Sequence, residues 1–131
     1  MEEITKNLRT FLLENPAVSV AFGTKIYVVK APDEPGYPFG IIRKVSPFVE
    51  YTQEGRQSND DIIQIDVYDD DLESCVDNVI LIESALDGYS GAISGVEKAV
   101  CFITQSHTEE WSPEARHYRS IIQVQIKWMS L

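Results

Sequence analysis

Long hydrophobic runs are missing from this 131-residue sequence. No stretch approaches the ~20 uninterrupted apolar residues that cross a bilayer, so no membrane partner is expected. Cations are scarce. Eleven Lys and Arg stand against 21 Asp and Glu, a net charge of −10. Such a surface repels a phosphate backbone and disfavours sequence-independent nucleic-acid binding. Cysteine is nearly absent: Cys75 and Cys101 both fall at apolar positions, which predicts reduced core thiols rather than a disulfide. A signal peptide is not expected either, because Met1-Glu2-Glu3 is acidic and leads directly into a helical pattern. The protein is expected to stay in the compartment where it is made.

What is present is apolar material for one core, 44% of the residues. A chain of this length buries roughly two-thirds of its unfolded surface, which predicts a single domain over 1–131. Ile4, Leu8, Phe11 and Leu12 sit at helical spacing and predict an amphipathic helix over 2–14, with Glu2, Lys6, Asn7 and Arg9 on its wet side. Asn15-Pro16 ends it, and Ala17 to Phe22 can add a short helical turn closed by Gly23. Lys25–Lys30 is a strand rich in β-formers, followed by a loop stiffened by Pro32, Pro35 and Pro38. A second strand runs from Phe39 to about Tyr51, interrupted near Pro47, and Gln53–Asn59 is a polar loop. Asp61–Tyr68 is a third strand, with Ile63, Ile65 and Val67 on the apolar face and Gln64 and Asp66 opposite.

The run Asp69-Asp70-Asp71 opens a second helix, with Asp70 and Glu73 at capping-box spacing and Gly88 at its C′ position. Gly91, Ser94 and Gly95 predict a flexible connection. Two long strands, about Val96–Thr108 and Arg116–Met129, finish the chain. The expected fold is α+β in the order α-β-β-β-α-β-β: an antiparallel sheet of about five strands with both helices on one face. The other face, with Gln64, Asp66, Gln123 and Gln125, is wet or meets a partner. Val76, Val79, Ile65, Val67, Val124 and Ile126 are the expected helix-on-sheet core.

Chemistry is weakly signalled. His107 and His117 flank the last hairpin and could face each other as metal ligands. No register fixes that pairing, and hairpin histidines are common. The three aspartates lack the glycine and spacing of a calcium loop, and helix capping explains them better. Gly88-Tyr89-Ser90-Gly91 misplaces the second glycine of a nucleophile elbow and follows a helix instead of a strand. No Gly-Lys-Ser/Thr follows the glycines at 88, 91 and 95, so there is no phosphate loop. The reading is a non-enzyme with no catalytic, cofactor or metal residues. Features for assembly are stronger: a polar loop, a proline-stiffened loop and long terminal strands whose edges need pairing or blunting. The candidate subunit or tube interface is Tyr51, Gln53, Glu54, Arg56, Gln57 and Asn59, with Arg56 a lone cation suited to a neighbour's carboxylate.

Four segments carry a resemblance. Gly23-Thr24-Lys25-Ile26-Tyr27 follows a short helix. Tyr37-Pro38-Phe39-Gly40-Ile41-Ile42 runs through Val45-Ser46 to Glu50-Tyr51-Thr52. Ile65-Asp66-Val67-Tyr68 precedes a helix and then Ala85-Leu86-Asp87-Gly88. Arg116-His117-Tyr118-Arg119-Ser120 opens the strand that reaches Lys127-Trp128. In this order the chain resembles the tail-completion proteins of long-tailed phages and prophages, also called tail terminators or tail-to-head joining proteins. The resemblance spans nearly the whole chain, and no single motif in it is chemically unique. The connector Tyr89–Gly95 and the Trp111 hairpin fall outside it. It implies a structural subunit that forms a ring with itself, commonly a hexamer, at the head-proximal end of the tail. Such a ring stops tube growth, touches the tail tube protein and the head–tail connector, and lets DNA pass through without specific binding. It would be found in the virion tail, and in the host cytoplasm during assembly. The alternatives are another connector or tube subunit, or a non-viral ligand-binding module.

Overall fold

The computed structural model describes residues 4–46, 49–51, 57–93 and 96–130; at 46, 49–51, 57–60, 96–97 and 129–130 it describes the backbone alone. Ile4, Leu8 and Leu12 recur at every fourth position and form the buried stripe of α1, Ile4–Leu13. Asn7, expected on the wet side, is buried as well. Asn15 then does more than end a helix. Its Oδ1 accepts hydrogen bonds from the amides of Ala17 and Val18 at 3.0 and 3.3 Å. With Pro16 in the first turn, this cap starts a true second helix, α2, Pro16–Phe22.

The third helix, α3, spans Leu72–Leu86, and its cap is Asp71 instead of Asp70. The Asp71 carboxylate accepts the Ser74 amide at 2.9 Å. Behind it Asp69 is buried and accepts from the Asp71 amide, the Ser74 hydroxyl and the Asn78 side-chain amide. The aspartate run is therefore a helix start in which two of the three carboxylates hold backbone or side-chain donors. Gly88 follows at φ +75, a conformation that costs glycine little.

The strands are β1 (Ile26–Val28), β2 (Phe39–Ser46), β3 (Val49–Tyr51), β4 (Gln57–Asp69), β5 (Ser90–Ile93), β6 (Val96–Thr108) and β7 (Tyr118–Ser130). They form one sheet in the order β1-β2-β4-β7-β6-β5, with β3 also paired to β4. The α+β class stands, with seven strands and three helices among the described residues in place of about five and two. Four details correct the sequence reading. The β1–β2 pair is parallel, because the proline-bearing link carries the chain back before it pairs Ile26 with Gly40. The glycine-bearing connector contains strand β5. Gly91 fits there because a Cβ at its φ of +152 would lie 3.0 Å from the Tyr89 hydroxyl. Residues Gln57–Asn59 belong to β4 and not to a loop. The long strands β6 and β7 are interior, so the sheet's rims are the short strands β1 and β5.

Helix α1 bridges those rims, and the sheet curls around it. Arg9 donates its Nε to the Ile26 carbonyl and its Nη2 to the Thr24 carbonyl, the latter at 3.3 Å. Phe11 packs on Tyr89 with ring centroids 4.7 Å apart, and the Tyr89 hydroxyl donates to the Ala92 carbonyl at 2.5 Å. Period-two alternation fills the concave face with Ile63, Ile65 and Val67 of β4 and Ile122, Val124 and Ile126 of β7, all buried. Cys75, Val79, Ile82 and Leu86 of α3 close over them. Each fully buried aliphatic side chain contributes about 1.5–3 kcal/mol. Val76 does not join this core: it is 39% exposed. One residue past Cys75 rotates about 100° around the helix, which takes it off the buried stripe.

Candidate functional site

The candidate interface read from the sequence is only partly in view. Tyr51 ends β3 opposite Gln57, and Asn59 lies opposite Val49. On their other side Gln57 and Asn59 pair with Ser130 and Trp128 of β7. Gln57 and Asn59 are thus ladder residues between two strands rather than parts of a loop. Gln53, Glu54 and Arg56 lie outside the described residues.

The convex face of the sheet carries a charged network. On β4 the residues Gln64, Asp66 and Tyr68 point away from the core, and the registers place Arg43 of β2 and Arg119 of β7 beside them. Asp66 accepts from Arg43 at 2.7 Å and from Arg119 at 3.0 Å, while Gln64 donates to its other oxygen at 2.9 Å. Arg119 also meets Glu109 at 3.6 Å. Asp66 is fully buried although its face is open, because the two guanidinium groups roof it. Burial disfavours the Arg119 charge, but the hydrogen bond and charge of Asp66 outweigh it and raise its pKa above the ordinary value. The face is therefore neither simply wet nor apolar. The face of Asp66 was legible from alternation, whereas its two partners depend on cross-strand register.

Next to this network the aromatic rings gather. Phe39 stacks on Tyr68 at 4.8 Å between centroids, and His117 sits edge-on to Tyr68 at 4.9 Å. The Tyr37 hydroxyl and His117 Nδ1 form a hydrogen bond of 3.0 Å. Burial, with the Arg119 charge adding, lowers the His117 pKa from 6.5. His107 does not face it. His107 lies opposite Ile121, whereas His117 bridges back to Ser112. The histidine pair foreseen as possible metal ligands is thus separated by the register. Among the described residues no group of three or more His, Cys, Asp or Glu could hold a metal ion. Cys75 and Cys101 are free and buried. Burial pushes the Cys101 thiol up to about 11, which keeps it protonated and poorly nucleophilic at neutral pH.

Among the described residues, three exposed apolar side chains share one helix flank, while others, Val20 on α2 the most exposed at 88%, are scattered. Leu72, Val76 and Ile80 are 47%, 39% and 52% exposed and recur every fourth residue on α3. Glu83, one turn further along, meets the Ser106 hydroxyl, so this flank looks toward β6. Leu72 continues into a shallow depression of about 540 Å³ lined also by Asp70, Asp71, Trp111 and Tyr118. Trp111 rests edge-on against Tyr118 at 5.0 Å and is 40% exposed. What these features offer is contact: an apolar stripe with acidic neighbours and a roofed ion-pair network.

No family model and no curated protein matches the sequence. Among solved structures the fold recurs in a chain of the virion of a native gene transfer agent particle. This chain has the fold of a virion protein. The TM-score is 0.69 at 13% identity, and the match covers 92% of this chain and 90% of that one. The shared part is therefore the whole architecture and not one hairpin or helix pair. At that identity it concerns the backbone path and assigns no side chain a role.

Proposed function

We propose that this chain is a structural subunit of a phage-like virion and, more narrowly, a tail-completion protein. The observation that carries the reading is the fold shared over nearly its full length with a chain of a gene transfer agent virion. The resemblance of four ordered segments to tail-completion proteins narrows it. In this role the chain closes a ring, commonly of six copies, on the head-proximal end of the tail. One side of the ring meets the tail tube protein and ends its growth; the other meets the head–tail connector. No reaction is performed. DNA passes through the ring, and the net charge of −10 suits a conduit that repels passing phosphates.

Native mass spectrometry of the purified protein across a concentration range tests ring formation. Electron microscopy of tail tubes assembled with and without the protein tests termination. The expected results are one closed oligomer of fixed stoichiometry and tubes of uniform length only when the protein is present. A protein that stays monomeric and leaves tube lengths unchanged contradicts the reading. Exchanging residues 52–56 for a Gly-Ser linker of equal length spares the β3–β4 ladder and tests the remainder of the candidate interface. Loss of tube capping with the fold retained is expected; normal capping removes Gln53, Glu54 and Arg56 from the interface.

A further inference from the structure

The electrostatic setting of the stripe Leu72, Val76 and Ile80 is set by the elements around it. Helix α3 packs on α2, β4, β6 and β7. Helix α2 has no charged residue, and neither α3 nor β4 contains a lysine or arginine. The other two strands do contain them: Lys98 on β6, and Arg119 and Lys127 on β7. Each of these sits one residue from a buried position, Ala99, Ser120 or Ile126. Alternation therefore turns all three to the convex face, away from α3. The sheet separates α3 from every lysine and arginine of the strands beneath it.

Acids remain on the α3 side. Glu73 and Asp77 each follow a stripe residue by one position, about 100° around the helix, and border the stripe on its outer edge. Asp70 and Asp71 line the depression that Leu72 shares with Trp111 and Tyr118. The hairpin bearing Trp111 adds exposed Glu110 and Glu114, with Arg116 its one lysine or arginine. The sheet's own acids are committed elsewhere, Asp66 to Arg43 and Arg119, and Asp61 to Lys44 and Trp128. Asp70, Glu73, Asp77, Glu110 and Glu114 differ. All are exposed, and among the described residues none of their carboxylates holds a cation or a hydrogen-bond donor.

An exposed apolar strip with a polar border marks a protein contact. With unpaired carboxylates as that border, the complement is a segment that brings apolar side chains and cations together. Leu72 to Ile80 runs for about 12 Å, the reach of an amphipathic helix laid along a groove with an anchor at each turn. The depression of about 540 Å³ at the Trp111 end gives a large apolar anchor a place to enter. No helix described in this chain supplies the complement. Helix α1 has cations, but its apolar stripe of Ile4, Leu8 and Leu12 is buried and Arg9 is held by β1.

We infer that the α3 flank, with the Trp111 depression at its end, docks a basic amphipathic helix of a different protein. Apolar side chains of that helix lie on Leu72, Val76 and Ile80, and its lysines and arginines meet Asp70, Glu73 and Asp77. The apolar contact supplies the affinity, while the charges set register and speed encounter. This surface goes beyond the ring reading and does not depend on it, because a single copy carries all of it.

Two synthetic helical peptides are the probes, one of leucine and lysine and one with glutamate at each lysine. Each is titrated into isotope-labelled protein at physiological salt and followed by NMR. The lysine peptide is expected to shift the amide signals of Leu72–Ile80 and the Trp111 indole; the glutamate peptide is expected to shift neither. Val76→Ser with Ile80→Ser removes the apolar contact, and Glu73→Lys with Asp77→Lys reverses the border. Each variant, checked for folding by circular dichroism, is expected to weaken lysine-peptide binding by about tenfold or more. Asp33→Lys with Glu34→Lys reverses two exposed acids away from α3 and is expected to change it by less than about twofold. A lysine peptide that does not bind, or that shifts convex-face signals instead, overturns the proposal. Equal binding by the glutamate peptide, or binding untouched by both α3 variants, also overturns it. So does a loss in the Asp33 and Glu34 control as large as in the α3 variants, since net charge alone then drives binding. Self-association of the wild type that the serine variant abolishes and the lysine peptide does not displace assigns the flank to a second copy and overturns it as well.

Discussion

The indole Nε1 of Trp128 donates a hydrogen bond of 2.8 Å to Oδ2 of Asp61, a carboxylate buried on the core side of the sheet. Lys44 Nζ lies 3.8 Å from the second oxygen of that carboxylate. Trp128→Phe removes the donor and leaves one carboxylate oxygen buried without it. A cost of about 1–3 kcal/mol is expected from urea unfolding. Adding Asp61→Leu is expected to recover part of the loss, since two apolar partners desolvate nothing. A single variant as stable as wild type would show that the pair contributes nothing.

Neighbouring valines on α3 should separate sharply. Val79 is 7% exposed and Val76 is 39% exposed. Val79→Ala opens a cavity against β4 and β7 and is expected to cost about 1–3 kcal/mol, near the lower end for buried aliphatic truncation. Val76→Ala is expected to stay within about 0.5 kcal/mol of wild type. Thermal unfolding of the two variants side by side measures the difference.

Both thiols are expected to resist alkylation. Burial raises the Cys75 thiol, and it lifts that of Cys101 to about 11. At pH 8 the folded protein should therefore react with iodoacetamide only as fast as it opens, and fully in denaturant. Rapid labelling of the native protein would contradict the buried placement of Cys101.

His117 gives the fold an acid-sensitive component. Burial first, and the Arg119 charge second, hold the imidazole below its ordinary 6.5. As pH falls, the unfolded chain therefore takes up this proton before the folded one does. The contribution is intact above about 6.5 and is lost as pH falls from there toward the lowered folded value. His117→Gln is expected to flatten the fall in stability over that window. An unchanged slope between pH 7 and 5.5 would show that His117 does not carry it.

Much of the fold is legible where burial imposes a strict period. Ile63, Ile65 and Val67 mark β4, and β6 is found at Val96–Thr108 as the sequence predicts, because alternation follows directly from one buried face. Elements fixed by tertiary contacts are less legible. Three of the four residues of strand β5, Ser90, Gly91 and Ala92, carry little strand preference, and the strand holds its place by pairing with β6 and burying Ile93. Helix α2 hides behind an Asn-Pro that both stops one helix and caps the next. Val76 is apolar yet exposed, and composition alone cannot separate it from Val79. At the candidate site, alternation places Asp66 on the convex face, but Arg43 and Arg119 come from strands far away in sequence. The positive φ of Val29, +70, leaves no mark in residue type at all.

The hold of Arg9 on the Ile26 and Thr24 carbonyls, and of Tyr89 on that of Ala92, bears on what free copies of the chain do when they meet one another. Bare strand rims add partners without limit, since every new strand exposes another rim, and the product is a fibre. With those carbonyls occupied from within, that growth has fewer acceptors to start from. An excess of the protein therefore has less tendency to string itself into open-ended aggregates.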